Sequence, residues 1–418
     1  MSQVKTQRGF RTELDLNNKQ RTACLRHAGA ARFAYNFGLR RKAEAYQAGE
    51  KVPSAIDLHR ELNRLKQTDY PWLYETSKCA PQEALRDLDL AFANFFRRVA
   101  LKKAGQLTGK VGYPRFKSRK RGIGSFRLTG AIKVFPRHIQ LPRLGKLRLK
   151  ELGYLPVGAR ILSATVSERA GRWFVSVRVV MELPDPTPAA GPALGVDLGI
   201  KTLATCSDGR TFANPRALDQ AQLALRRAQR SLARRQQGGS NRDKARRRVA
   251  RLHTRVANIR SDALHQATAR IVARTKPDAE RPAVIVLEDL NVQGMVKNRH
   301  LARALSDVGL GEFRRQTTYK SAWAGERLLI APRFYASSKR CSACHHLKET
   351  LPLSERMYVC EACGWVQDRD LHAACNLAQL ATASSAGRYA CGESVSPGLQ
   401  AVLVEAGTER QMSFATNG

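Results

Sequence analysis

Four cysteines and three acids are the residues of this chain whose types and spacing could do chemistry. Cys341-Ser342-Ala343-Cys344 and Cys360-Glu361-Ala362-Cys363 form two C-x2-C knuckles with fifteen residues between them. Each knuckle offers two sulfurs from a tight turn to one tetrahedral ion, and the intervening length suits a small hairpin. The pattern predicts a structural Zn2+ held by Cys341, Cys344, Cys360 and Cys363. A closed set of four thiolates leaves no coordination position open for reaction, so any catalysis must come from the acids.

Asp197 lies in Gly195-Val196-Asp197-Leu198-Gly199, Glu288 closes the apolar run Val284-Ile285-Val286-Leu287, and Asp370 follows the second knuckle in Asp368-Arg369-Asp370-Leu371-His372. An acid on a buried strand is costly unless it is paired or binds a metal. Two such strands and an acid on a late helix are the layout needed to clamp two divalent cations, and hard carboxylate oxygens suit Mg2+ or Mn2+. Two ions about 3.5–4 Å apart would activate water and stabilise the leaving oxygen of a phosphodiester. Each segment also has a plain reading: a phosphate-binding turn, a strand end, a helix cap. Their order, with a zinc ribbon ahead of the third acid, is far more specific than any one of them.

The elements that must position these groups divide into two halves. Residues 3–16 read as a strand and Asn17-Asn18 as a helix cap. Helices are expected from Gln20 to about Ala48, from Ala55 to Lys66, and from near Pro81, where Leu85, Leu88, Phe92, Phe95, Phe96 and Val99 share a face. The runs Ile132–Phe135, Ile139–Leu141, Leu147–Leu149, Ile161–Ser167 and Trp173–Met181 are short and turn-bounded, which suggests a small barrel. A proline-rich stretch, 183–193, marks a domain boundary. Beyond it come two strands within Leu194–Ser207 and a basic helical hairpin over Leu218–Val272, turning at Gln236–Asn241. A buried strand at Ala283–Leu287, a helix near Leu305–Trp323 and a strand near Leu328–Tyr335 follow. The tail from Thr382 is rich in Ala, Ser and Gly and is expected to be disordered.

Lys and Arg number 72 against 35 Asp and Glu, a formal charge of +37. Such an excess implies a polyanionic partner, nucleic acid foremost. Arg115 and Lys117 lie in a basic, aromatic-interleaved stretch, Gly112 to Arg121, that suits phosphate tracking. Arg246, Arg247 and Arg248 place more charge on the helical hairpin than packing requires. No run of eighteen apolar residues exists, and the N-terminus lacks the apolar core of a signal peptide. The scattered remaining cysteines fit reduced thiols, so a cytoplasmic protein without a membrane partner is expected.

The combination resembles the TnpB family, insertion-sequence-encoded RNA-guided nucleases related to type V CRISPR effectors. Gly195 to Gly199, Val286 to Leu290, Ser337 to Cys344 and Cys360 to Ala374 carry the resemblance; Tyr113 to Lys117 and Gln82 through Phe96 look like its N-terminal signatures. The resemblance implies an α/β RNase H-like (RuvC) nuclease core over 194–335 and 364–381, with a zinc ribbon inserted at 336–363. It also implies an N-terminal, wedge-like small β-barrel over 1–182 that carries a helical recognition insert at about 18–105. Asp197, Glu288 and Asp370 would be the catalytic, Mg2+-holding acids. Lys78 and Gln82 would read a short DNA motif beside the target. Its partners would be a guide RNA from the transposon end and target double-stranded DNA, bound by a nucleoid-associated monomer of a bacterium or archaeon. One position departs from the family pattern: His372 stands where asparagine is usual, and a bulkier, chargeable imidazole there bears on metal geometry. The competing readings are a nuclease-inactive RNA-guided regulator, a DNA-joining transposase, and a zinc-ribbon binding protein without chemistry.

Overall fold

The computed structural model describes residues 3–119, 122–273, 276–352 and 354–385. The chain divides into two compact units at Leu183/Pro184.

The first unit opens with strand β1 (Gln3–Asp15). Helix α1 (Asn18–Gln47) starts from a capping box in which Asn17 and Gln20 exchange side-chain bonds to each other's backbone N–H. Helix α2 (Ala55–Leu65) uses Ser54 and Asp57 in the same way. A 3-10 turn (Pro71–Glu75) leads into helix α3 (Cys79–Lys103). Seven strands form one sheet in the order β2-β6-β7-β1-β5-β4-β3. The other six are β2 (Ser125–Leu128), β3 (Lys133–Val134), β4 (His138–Leu141), β5 (Gly145–Leu149), β6 (Arg160–Arg169) and β7 (Arg172–Pro184). β7 buries Trp173, Val175, Val177 and Val179 at every second residue, the period of a sheet with one face on a core. That core is shared with Phe37, Leu39, Leu58, Leu85 and Leu88 of the helices. Gly38 lets α1 and α3 close up, since a Cβ there would lie 2.7 Å from Leu85. β2, at four residues, has too short an apolar pattern to stand out in the sequence. Phe96, expected on the shared apolar face of its helix, is 62% exposed.

The second unit holds a five-stranded mixed sheet of order β10-β9-β8-β11-β12. Its strands are β8 (Leu194–Leu198), β9 (Thr202–Cys206), β10 (Thr211–Ala213), β11 (Val284–Leu287) and β12 (Arg327–Ile330). The first three pair antiparallel, while β11 runs parallel to both β8 and β12. Helices α4 (Ala217–Ala233) and α5 (Ser240–Val272) make the expected hairpin, closed by Leu225, Leu252, Val256 and Ile259. After the short α6 (Val292–Met295), the single helix expected near 305–323 is two, α7 (Ala302–Val308) and α8 (Leu310–Ala324). They break at Gly309, which takes φ +76°. β12 stops five residues short of the expected Tyr335, because Pro332 has no N–H for a ladder. The proline-rich boundary is tied down at its far end: Gly191 N–H donates to the Arg281 carbonyl and forms an isolated bridge with Pro282.

In the cysteine segment, β13 (Met357–Val359) and β14 (Val366–Asp368) form a hairpin around the second knuckle. The hairpin expected between the knuckles is thus displaced, and its second strand extends past 363 to Asp368. Helix α9 (Arg369–Ser385) follows directly. Thr382 to Ser385, expected in a disordered tail, are helical in α9; residues 386–418 lie outside the described residues. Among the described residues no helix is long and apolar enough to cross a membrane.

Candidate nuclease site

Asp197 and Glu288 are brought side by side by strand register. β8 and β11 are parallel neighbours with Val196 opposite Leu287. One residue further on, both acids leave the same edge of the sheet toward the same face. Asp370 arrives from the first turn of α9, which crosses that face. Its approach is made possible by Gly195: a Cβ there would run into the Ala374 carbonyl oxygen and lie 2.6 Å from the Ala378 nitrogen. Gly195 and Asp197, two residues apart on one strand, face α9 together. Gly195→Ala should therefore cost about 1–3 kcal/mol through overpacking and push α9 off the sheet. A lower thermal midpoint with reduced cleavage is the expected measurement.

The three carboxylates share one electrostatic site. Burial first, and then the negative fields of Glu288 and Asp370, push the Asp197 carboxyl up to about 8. A carboxyl raised by burial and by neighbouring carboxylates in this way calls for a compensating charge when ionised. Hard oxygen donors make a divalent cation the fitting one. Asp368 plays a different part: its carboxylate accepts from the N–H groups of Asp370 (3.0 Å) and Leu371 (3.1 Å) and so caps α9.

The four cysteine sulfurs lie within 4.8 Å of one another. Cys341 Sγ is 3.7 Å from Cys363 Sγ, and Cys344 Sγ is 3.6 Å from Cys360 Sγ. A tetrahedron with Zn–S bonds of about 2.3 Å has edges of about 3.8 Å, so the cage fits zinc. The backbone N–H of Cys363 leads the groups that pull the Cys360 thiol down to about 6, which favours the thiolate a metal requires. Cys375 is not part of this cage; its sulfur faces Ser207 O and Gln367 instead.

Between cage and carboxylates runs a set of buried hydrogen bonds that sequence reasoning missed. Ser337 Oγ donates to Glu288. Asn376 Nδ2 donates to the carbonyls of Ser337 (2.7 Å) and Arg340 (2.6 Å). His372 Nε2 donates to the same Arg340 carbonyl at 2.7 Å, its ring stacked 3.8 Å from Tyr358 of the hairpin. His372 is fully buried, and burial lowers its pKa, which disfavours a charged ring. Its partners belong to the cysteine segment rather than to the carboxylates. The expectation that a charged imidazole would disturb metal geometry is therefore replaced by a packing role. Only the position of Ser337, inside a motif quoted for the resemblance, hinted at this network.

The remaining sequence-predicted residues lie elsewhere. Lys78 is exposed just before α3, and Gln82 is half-buried one turn later. Burial first, then Lys66, Arg86 and Lys78, lowers the pKa of nearby His59, which marks a concentrated positive field beside Gln82. Arg115 is exposed on an irregular segment. Lys117 in the same segment is pinned to α1 by two backbone bonds with the Asn36 amide, its Nζ 4.0 Å from the Tyr35 ring centroid. Arg246, Arg247 and Arg248 are all exposed on α5; Arg246 pairs with Asp243 at 3.2 Å.

A mixed sheet of this strand order and direction, with two acids at the ends of its central strands and a third on α9, has the arrangement expected of an RNase H-like α/β fold. Comparison with known proteins agrees. The chain aligns with a Cas12f1 chain in a complex with sgRNA and target DNA at TM-score 0.52, covering 90% of this chain and 99% of that one at 11% identity. Residues 176–299 match the OrfB_IS605 family, described as "Probable transposase", residues 311–377 match the Cas12f1-like TNB domain, and residues 1–51 match a helix-turn-helix domain. That last stretch is here one strand and one long helix. A Streptomyces pristinaespiralis protein named as an RNA-guided DNA endonuclease is 36% identical over 95% of this chain and 93% of its own. InsQ of Escherichia coli, similarly named, is 31% identical over 94% and 96%. The chain belongs to the TnpB family of insertion-sequence-encoded proteins.

Proposed function

We propose that the protein is an RNA-guided DNA endonuclease of a transposable element, cutting target DNA beside a short transposon-adjacent motif. The observation that carries this reading is the shared field that Glu288 and Asp370 impose on Asp197, with Asp197 and Glu288 laid side by side by strand register. In this reading the three acids hold Mg2+ or Mn2+, which when bound supplies Lewis-acid polarisation of the scissile phosphate and stabilisation of the leaving oxygen. Ser337 orients Glu288, and buried α9 packing holds Asp370. Cys341, Cys344, Cys360 and Cys363 hold a structural Zn2+. The N-terminal unit serves as a wedge-like barrel with a helical recognition insert, its Lys78 and Gln82 reading the adjacent motif. Arg115, Lys117 and the Arg246–Arg248 run contact nucleic-acid backbones as part of the +37 charge. The similarly named relatives support the guide RNA and target DNA as partners.

Sequencing RNA that copurifies with the protein, then assaying cleavage of a DNA library with randomised flanks, tests the reading. A discrete transcript from the gene's own 3′ flank and a defined flank motif are expected; random RNA and no cleavage would refute it. In the same library Gln82→Ala should relax the motif, because a glutamine amide pairs with an adenine edge for about 1–3 kcal/mol of discrimination.

Metal binding should compete with protons at Asp197. Its carboxyl is raised in the folded state, so the folded protein binds more protons than the unfolded one between about pH 4 and the folded value of about 8. Stability of the metal-free protein falls as pH rises through that window. A divalent ion offsets the exposed charge, so the Mg2+-induced rise in thermal midpoint should be larger at pH 8 than at pH 6. Asp197→Asn should remove that pH dependence.

A further inference from the structure

Phe334 is 94% exposed, more than any other large apolar residue described. It sits at a tight turn in which the Tyr335 N–H donates to the Pro332 carbonyl at 2.9 Å. Such corners favour Gly, Asn and Asp, and nothing in turn geometry calls for a phenyl ring. The turn itself is rigidly placed. On one side, Arg333 donates through Nε (3.1 Å) and Nη2 (2.9 Å) to Asp289, the residue after Glu288. On the other, Tyr335 Oη donates to the Asn376 carbonyl at 3.0 Å, and Ser337 donates to Glu288. The ring is thus held in solvent by neighbours fastened around the carboxylate site.

Beside it lies a cleft of about 490 Å³ lined by Leu198, Leu287, Glu288, Asp289, Arg314 and Arg333. Asp289 is clamped by Arg314 (2.8 Å) as well as Arg333, yet the two arginine side chains remain 44% and 53% exposed. The cleft therefore brings Glu288 together with two cations, and Arg333 in its wall is the residue immediately before the exposed Phe334. Single-stranded nucleic acid needs these groups: cations for its phosphates and a π-surface for a base. Its volume is in the range that takes a ligand of nucleotide size.

Building on the nuclease reading, we infer that Phe334 is a stacking platform for a base of the single DNA strand entering the site, with Arg333 and Arg314 taking the adjoining phosphate. A base seated there fixes the register of the backbone against Glu288. Any of the four bases would serve, since each presents a π-face, so the site would grip without reading sequence.

The test uses the purified full chain and short single-stranded oligodeoxynucleotides carrying 2-aminopurine at successive positions, with Ca2+ in place of Mg2+. Wild type should quench one position strongly. Phe334→Ala should lose that quenching and weaken capture about 5- to 150-fold, the range of one base-aromatic stack, with an unchanged thermal midpoint; Phe334→Trp should restore both. A strand abasic at that position should bind wild type and Phe334→Ala equally poorly. Quenching and affinity unaltered in Phe334→Ala, or a further loss on the abasic strand, would overturn the inference. Asp197→Ala separates the two claims: it should keep the fluorescence signal while cleavage disappears. If cleavage persists in that variant the nuclease assignment fails, and the stacking result stands on its own readout.

Discussion

Asp197→Ala, Glu288→Ala and Asp370→Ala should each abolish DNA cleavage while leaving guided DNA binding intact. The expected loss is at least on the order of a hundred- to a thousandfold, the scale of removing one preorganised electrostatic stabiliser. The three acids share one field, so removing any one dismantles the donor set for the divalent ions. Affinity is carried by base pairing and by the basic surface, which none of these substitutions touches. Plasmid cleavage by wild type and Asp197→Ala, with the same guide, is the decisive comparison. Equal cutting would sink the RuvC reading; binding by both without cutting by either would favour a nuclease-inactive regulator. Asp368→Ala is the internal control. Its carboxylate caps α9, so it should cost about 1 kcal/mol of helix stability and only part of the activity.

Loss of zinc should also reduce cleavage, at a distance and by less. Cys341→Ser or Cys360→Ser should remove the bound ion and unfold the hairpin, because small metal modules owe their folding to the metal, with apparent binding energies of about 10–16 kcal/mol. The effect should reach the carboxylates. Arg340, beside Cys341, offers the carbonyl that His372 and Asn376 of α9 both hold, and Asn376 also holds Ser337, the partner of Glu288. A fall in cleavage of about 10- to 100-fold beyond any loss of binding is expected, the range seen when groups supporting metal ligands are removed. Elemental analysis before and after substitution checks the first part. Well-folded wild type without zinc would refute the assignment, and full activity in a zinc-free variant would refute the coupling.

The packing role of His372 shows where reading residues one by one runs out. From the sequence it was a departure two positions after an essential acid, which suggested interference with metal. On α9 a spacing of two turns a side chain well away from its neighbour's direction. His372 accordingly faces Tyr358 and the Arg340 carbonyl. Ser337 and Asn376 are harder to read for a related reason: a serine and an amide gain meaning only once burial turns the hydroxyl to Glu288 and the amide to the Ser337 and Arg340 carbonyls.

What the sequence determined by itself is local or compositional. Paired cysteine knuckles at short spacing, apolar strands ending in acids, a helix cap at Asn17, and a +37 charge need no fold to be legible, because their physics acts within a few residues or over the whole chain. Tertiary structure alone decided the rest. It set the register that lays Glu288 beside Asp197 and the contact at Gly195 that admits α9. It placed the hairpin around the second knuckle rather than between the two. It left the phenyl ring of Phe334 in solvent at the edge of the site. Most depend on which surfaces meet across some ninety residues of chain or more, or on what packing leaves uncovered, and no local pattern encodes either.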